Sequence, residues 1–366
     1  MKQHFTRLKN RTLWLWLHMF LGMLALSFVP LFLKENGYPL FAIILFYLLL
    51  CLGAVLLLPG LNIFNLRRFI LYGYLCYAGT MLSLLFGSGL VSYLLYVIFG
   101  AGTLVFFWIP FQYLFFNSTS KETSGMDSAF FFNSTAILGV FAPLLGAAMI
   151  KFLGYAWLFG LAATLYLLLG AYLYFRLPKE NFAVPFREVV REFKGLKTIS
   201  CIEGSLQFFP GIILGIYALL FFETSSAYGY FLSYLGIISF IIALIVTNYS
   251  DRKQNRLGYL FPLFFFMALS IVIIPVVQST IYWIIAVGAF SLLDNVSRPL
   301  RSAVSLDAKK MDLGFWKARE FFLNVGRVAT LGISAIFFYY GAYWPLFVLY
   351  GLLALIYPFL IRYKLA

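Results

Sequence analysis

The chain has 366 residues, of which 63% are hydrophobic and only 11% are charged. Soluble globular proteins carry roughly 45–50% apolar and about 25% charged residues, so a water-surrounded core of this size cannot hold the apolar excess. The composition excludes a soluble enzyme, and it excludes a nucleic-acid partner despite the net charge of +14. The chain is predicted to lie in a lipid bilayer.

Apolar runs of about 20 residues, the length that crosses the hydrocarbon core, recur along the whole chain. The first run is longer than the roughly 7–15 apolar residues of a signal peptide, so it is interpreted as a span. The runs predict twelve transmembrane helices, at residues 12–33, 39–58, 69–88, 91–114, 131–151, 154–175, 199–221, 228–249, 257–277, 280–300, 319–339 and 342–361.

The basic residues support this count. With the N-terminus in the cytoplasm, 24 of the 27 Lys and Arg residues fall on the cytoplasmic side, Lys34 and Lys151 fall on the outer side, and Arg327 lies within a span. Lys and Arg near span ends favour the cytoplasmic side. We therefore expect a multi-pass protein of the inner (plasma) membrane with both termini in the cytoplasm.

The longest predicted loop, residues 177–198, divides the chain into two sets of six spans, residues 1–176 and 199–366. After Pro185 this linker alternates apolar and charged residues at helical spacing, which predicts a short amphipathic helix on the inner membrane surface. The alternative is a linker helix that touches no lipid. The apolar positions are Phe186, Val189, Val190 and Phe193.

Two short motifs and the topology together resemble the major facilitator superfamily of secondary transporters. The loop after the eighth predicted span is similar to the family's G-x-L-a-D-R-x-G-R-R loop, with matches at Asp251, Arg252 and Arg256. The first-half loop keeps the terminal arginines but lacks the Asp. In the fifth span, the sequence from Gly139 through Pro143 is similar to a motif that the family's antiporters carry.

The resemblance implies an all-α integral membrane fold of two pseudo-symmetric six-helix bundles. It also implies that a small, unidentified solute crosses the membrane by alternating access, with the antiporter motif favouring efflux. Spans 1, 4, 7 and 10, with 2, 5, 8 and 11, are expected to line the cavity. In this family an Asp at the position of Asp251 stabilises the closed inner side, which makes Asp251, Arg252 and Arg256 gate candidates.

Polar residues inside the spans are the candidates for substrate binding and ion coupling, because charges in hydrocarbon are costly unless they are paired or hydrated. Glu203 is the candidate proton-coupling residue, and Arg327 is the candidate to bind an anionic or zwitterionic group. The remaining candidates in the second half are Gln207 and Asn324, with Asp294, Arg298 and Glu320 as ion-pair or gate residues, and those in the first half are Trp108, Gln112 and His18.

Alternatives stay open at this stage. The carboxylate–arginine sets are either an inner gate or static pairs that join the tenth and eleventh spans, and His18 is either a titrating group or a hydrogen-bonded interface residue. The sequence has no P-loop, H-E-x-x-H or G-x-S-x-G motif, so no catalytic residue, cofactor or metal is predicted. We expect a monomer whose partners are the bilayer, the solute and protons. The alternative functions are an integral-membrane enzyme or flippase for a lipid-linked substrate, or a non-transporting membrane subunit.

Overall fold

The computed structural model describes residues 2–86, 89–117, 124–133, 135–246, 256–308 and 311–365. In this part of the chain, eleven apolar helical segments are long enough to cross a membrane, and a shorter apolar helix completes the fifth span. The predicted all-α membrane fold of twelve spans is confirmed.

Eight spans are helices without an internal break, two of which end in a 3-10 turn, at Leu58–Gly60 and Ile274–Val276. In the described part of the chain, these are the second and third spans, the sixth span, and the eighth to twelfth spans. Their helices are, in chain order, Leu40–Leu57 and Leu66–Leu85; Tyr155–Arg176; and Ser225–Val246, Arg256–Ile273, Thr280–Ala308, Leu313–Tyr339 and Tyr343–Leu365.

The other four described spans are interrupted, as prolines and polar residues in apolar helices allow. The first contains a 3-10 turn before Pro30, the fifth is divided, and the fourth and seventh each contain a π-helical segment. Their segments are Lys2–Leu24, Leu26–Phe28 and Val29–Glu35; Leu90–Gly102, Thr103–Phe107 and Trp108–Phe116; Ser124–Asn133 and Leu138–Leu153; and Lys197–Phe208, Phe209–Ile213 and Leu214–Ala218.

Helix packing repeats with an offset of six spans. The third span packs on the sixth as the ninth packs on the twelfth, and the first packs on the fifth as the seventh packs on the eleventh. The second packs on the eleventh as the eighth packs on the fifth, and these two contacts join the halves. The repetition is that of two six-helix bundles related by a pseudo-two-fold axis. The division of the chain at residues 176 and 199 stays a prediction.

A small β-ribbon, which the all-α interpretation did not include, connects the first bundle to the linker. Strand β1, Ile63–Asn65, pairs antiparallel with strand β2, Asn181–Ala183. Beyond the ribbon, the amide of Val184 donates to the carbonyl of Asn62 at 2.8 Å. We call the end of the molecule that carries this ribbon the linker face, and the opposite end the far face.

The linker contains the predicted amphipathic helix, at Phe186–Glu192, but the position of its apolar face is corrected by the structure. Val189 and Phe193 are buried against the protein. The ring of Phe193 stacks on Phe322 of the eleventh span, with centroids 5.8 Å apart. The apolar side packs on the second bundle and not on lipid, because the eleventh span offers its own aromatic residues at this face.

The fifth span differs from the continuous helix predicted over residues 131–151. The helix ends at Asn133 and resumes at Leu138. In between, the hydroxyl of Thr135 approaches the carbonyl of Phe132 at 3.4 Å, and its own carbonyl accepts from the amide of Leu138 at 3.0 Å. Polar side chains of this kind compete for backbone groups and favour turns over continuous helix.

The loop predicted between the tenth and eleventh spans is largely helical. The tenth span continues to Ala308, and the eleventh begins at Leu313, where the side chain of Asp312 caps the helix by accepting from the amide of Phe315 at 2.8 Å. Three of the basic residues counted on the cytoplasmic side here, Arg301, Lys317 and Arg319, are helical and buried.

The two bundles touch most closely where the fifth and eighth spans cross. A Cβ atom at Gly236 would overlap the carbonyl of Gly139. Nearby, a Cβ at Gly229 would meet Ala147 at 2.5 Å and the carbonyl of Pro143 at 3.2 Å. Glycine at these positions brings the helix backbones into contact, as small residues do at membrane helix interfaces.

We predict that Gly236→Ala destabilises the protein by about 1–3 kcal/mol, because the added methyl group must push the bundles apart. Thermal unfolding in detergent micelles measures this as a lower melting temperature. Gly160→Ala is the matched control, since a Cβ there meets nothing within 4 Å. An unchanged melting temperature for Gly236→Ala would show that the crossing tolerates separation.

Candidate functional site

A cavity of about 480 Å³ lies between the two bundles, in the half of the molecule nearer the linker face. Volumes of this size are typical of small-molecule sites. The first bundle contributes mostly apolar and aromatic residues, and the charged residues that line the cavity all come from the second bundle. The residues used below are Met19, Met23, Trp108, Gln112, Phe116 and Phe131 from the first bundle, and Glu203, Gln207, Arg298, Arg301, Arg319, Glu320 and Arg327 from the second.

The charged wall is built on a close crossing of the seventh and eleventh spans. A Cβ at Gly204 would overlap the carbonyl of Leu323, and a Cβ at Gly326 would overlap the carbonyl of Cys201. The hydroxyl of Ser205 donates to the carbonyl of Gly326 at 3.1 Å. Because the backbones touch, polar side chains that flank these glycines on the two helices reach one another.

An ion pair bridges the two helices. Arg319 Nη2 donates to Glu203 Oε1 at 2.6 Å, and both side chains are almost fully buried. Gln207 Nε2 donates to the same oxygen at 3.2 Å, and Arg327 Nη2 donates to Gln207 Oε1 at 3.0 Å. The predicted pair Glu203 and Gln207 thus belongs to one continuous network with the predicted Arg327.

The predicted face of the eleventh span completes this network. Arg327 Nη1 donates to Glu320 Oε1 at 2.7 Å and to Asn324 Oδ1 at 3.0 Å. The guanidinium carbon of Arg327 lies 4.4 Å from the ring centroid of Phe208. Glu203 Oε2 is buried and has no hydrogen-bond partner among the described residues.

Asp294 pairs within the tenth span, which corrects the interpretation that these pairs tie the tenth span to the eleventh. Arg298 donates to Asp294 Oδ2 through Nε at 2.8 Å and through Nη2 at 2.7 Å. Arg301 Nη2 donates to Oδ1 at 2.9 Å. One turn separates each residue from the next, so two arginines share a single carboxylate.

Lysine contacts join the bundles at both faces. At the linker face, Lys317 of the eleventh span is fully buried and donates to the carbonyls of Leu61, at 2.6 Å, and Val184, at 2.8 Å. At the far face, Lys34 of the first span donates to the carbonyl of Leu219 at 2.6 Å. Leu219 follows the last helical residue of the seventh span, where carbonyls have no partner within the helix.

Comparison with known proteins agrees with the fold. The family model described as Major Facilitator Superfamily matches residues 63–307, which is more than half of the chain. The chain belongs to the Major Facilitator Superfamily. No significant match was found among curated protein sequences.

Solved structures of transporters share the fold at low sequence identity. The human organic anion transporter MFSD10 (TETRAN) is 16% identical, with a TM-score of 0.66, and the match covers 96% of this chain and 97% of that one. A bacterial homologue of the iron transporter ferroportin, in the outward-facing state, is 14% identical with a TM-score of 0.71, covering 97% and 98%. A POT family transporter bound to a thioalcohol-conjugated peptide is 15% identical with a TM-score of 0.66, covering 99% and 96%.

Of the three candidate residues in the first half, two line the cavity and one does not. Trp108 and Gln112 line the cavity. His18 does not line it: the imidazole stacks on Phe107, with centroids 4.0 Å apart, and is enclosed by further rings of the first bundle, including Tyr77 at 4.9 Å. His18 therefore lies in the interior of the first bundle, and its candidate role in coupling stays a prediction.

The superfamily loop motif lies at the edge of the described chain. Asp251 and Arg252 lie outside the described residues. Arg256 is the first helical residue of the ninth span, and the structure does not describe its side chain. The gate assignment of these three residues stays a prediction.

Sequence reasoning missed three buried basic residues of the site and its border, namely Arg301, Lys317 and Arg319. Arg301 and Lys317 were assigned to the loop and Arg319 to the first position of the eleventh span, because the tenth and eleventh spans were predicted too short. Asp312, a helix-capping residue type placed shortly before an aromatic run, was the signal that the eleventh helix begins earlier.

We predict that Arg319→Gln lowers the free energy of unfolding by about 3–5 kcal/mol, because it leaves Glu203 buried without its cation. The double variant Glu203→Gln with Arg319→Gln should recover much of that loss, since two amides can hydrogen-bond across the helices. Chemical denaturation in detergent measures both variants.

Arg298→Gln is the control for this prediction. Its side chain is 37% exposed, and Asp294 keeps Arg301 when Arg298 is removed. We expect a small loss of stability for the control. Additive losses in the double variant would contradict a direct Glu203–Arg319 interaction.

Proposed function

We propose that the protein is a secondary transporter that moves a small solute across the membrane by alternating access, with its cargo in the central cavity. The observation that carries the proposal is the position of the cavity. It lies between two bundles that are held together by side-chain contacts at each face, and its wall is charged on one side and apolar on the other.

Alternating access requires that one set of contacts between the bundles opens while the other holds. The far face is joined by Lys34 and the Leu219 carbonyl. The linker face is joined by Lys317 and by the stacked rings of Phe116 and Trp316, whose centroids are 5.4 Å apart. Each contact links residues of opposite halves, so rocking of the bundles breaks one set at a time.

Proton coupling is proposed at Glu203. Oε1 accepts hydrogen bonds from Arg319 and Gln207. Oε2 has no hydrogen-bond partner among the described residues and is the proposed site of protonation. Protonation removes the negative charge and weakens the bond to Arg319. Because that bond joins the seventh and eleventh spans, a proton at Glu203 changes how these two cavity-lining helices hold together.

Efflux is the proposed direction, because the fifth span resembles the antiporter motif at Gly139 and Pro143. Among the neighbours in fold, the human one is named as an organic anion transporter. We further propose that the protein acts as a monomer in the inner (plasma) membrane, with both termini in the cytoplasm.

The test uses purified protein in liposomes that contain a pH-sensitive dye. Small carboxylates, amines and sugars are added one at a time, and proton movement is recorded. We expect at least one solute to move protons with the wild-type protein. With Glu203→Gln the same solute should move no protons, while exchange of the radiolabelled solute between inside and outside persists.

The exchange measurement shows that the variant is folded, and the double variant with Arg319→Gln repeats the test without an unpaired arginine. Glu188→Gln is the control, since Glu188 is exposed on the linker helix. Proton movement that survives in both Glu203 variants would contradict the coupling role. Lipid movement between leaflets, without solute flux, would support the flippase alternative, and no flux of either kind would support a non-transporting subunit.

A further inference from the structure

Arginines outnumber carboxylates among the described side chains that line the cavity. Among the described residues, Arg298, Arg301, Arg319 and Arg327 line the cavity against the carboxylates of Glu203 and Glu320. A third carboxylate, Asp294, lies directly behind the wall and contacts two of the arginines. The described contacts thus match four guanidinium groups with three carboxylates.

The unequal pairing is at Asp294, which two arginines share. Glu203 is paired with Arg319, and Glu320 is paired with Arg327, one carboxylate to one guanidinium. Of these three carboxylates, only Asp294 accepts hydrogen bonds from two arginines. Arg301 is buried, and its Nε and Nη1 have no hydrogen-bond partner in the described part of the chain. A guanidinium with unpaired donors in an apolar surrounding is costly unless a further anion is present.

Arg298 is the arginine that is free to serve a ligand. Its side chain is 37% exposed, against 2% for Arg301, and it lines the cavity. If Arg298 turns towards a bound solute, Asp294 keeps Arg301 through the 2.9 Å contact and is not left unpaired. When Arg298 moves from Asp294 to a ligand, every buried carboxylate of this set therefore still has an arginine partner.

The opposite wall suits an organic group. Met19, Met23, Trp108 and Phe131 of the first bundle face the same cavity. Aromatic and thioether side chains pack on rings and hydrocarbon chains with little geometric demand. A solute with an acidic group at one end and an apolar body at the other matches both walls.

We propose that the cargo is an organic anion, with its acidic group bound by Arg298 and its apolar body held against the first bundle. Arg301 is a positioning residue that keeps Asp294 paired while Arg298 binds the solute. A carboxylate, phosphonate or sulfonate presents the paired oxygens that a guanidinium binds through two hydrogen bonds. This inference rests on the proposed transport function and names the class of its cargo.

The test compares matched probes that share one aromatic ring: benzoate and phenylphosphonate as anions, benzyl alcohol as the neutral probe and benzylamine as the cation. Binding to purified full-length protein in nanodiscs is measured by calorimetry, and uptake of radiolabelled benzoate is measured in liposomes. We expect the anions to bind at least about tenfold more tightly than the neutral and cationic probes, because the charge-assisted contact to Arg298 is made only by an anion.

The variants separate binding from folding. Arg298→Gln should weaken anion binding by about tenfold or more with little change in melting temperature, and Arg298→Lys should weaken it less. Arg301→Gln should also weaken it, because Asp294 then holds Arg298. Arg176→Gln, at the exposed end of the sixth span, is the control and should leave binding unchanged.

The outcomes distinguish this inference from the proposed function. Preferred binding or transport of benzylamine or benzyl alcohol would overturn the anion proposal and leave a transporter in place. Binding of none of the four probes, or anion binding that Arg298→Gln leaves unchanged, would overturn it as well. Anion binding without uptake of benzoate would support the site and count against the transport function.

Discussion

The structure depends on one constraint: an ionised side chain in an apolar helix bundle must have a partner. In the membrane-spanning part of this chain, the seventh and eleventh spans meet this constraint together, through Glu203 and Arg319. Their contact at 2.6 Å lies at a crossing where the two helix backbones touch, and Gly204 and Gly326 permit that approach. The glycines, the crossing and the ion pair are therefore one feature, and the charged wall of the cavity follows from it.

The same constraint explains the lysines at the two faces. Lys317 and Lys34 donate hydrogen bonds to carbonyl oxygens of the opposite bundle or of the linker. A carbonyl contact satisfies an ammonium group with less electrostatic attraction than an ion pair, so it is easier to break. In the proposed transport cycle, contacts of this kind break and re-form as the bundles separate.

Much of the architecture was predictable, because lipid imposes long apolar runs and an asymmetry of basic residues that can be counted directly. The candidates Glu203, Gln207, Glu320, Asn324 and Arg327 were also predictable, since each is a polar residue in an apolar run. The ends of the helices were not predictable from the sequence. Arg301 and Arg319 lie on either side of residues 302–312, which look like a loop, and only the packing of the tenth and eleventh spans shows that they are buried. The sharing of Asp294 by two arginines likewise depends on side-chain geometry that spacing alone does not determine.

The most direct test of the account measures two distances, one at each face of the molecule, by double electron–electron resonance between pairs of spin labels. Labels at the exposed residues Asn36 and Tyr340 report on the far face, and labels at Arg68 and Arg362 report on the linker face. Lys34→Met should lengthen the far-face distance and leave the linker-face distance short, and Lys317→Met should do the reverse. If both distances lengthen together in either variant, or if neither changes, the two faces do not open in alternation and the account is wrong.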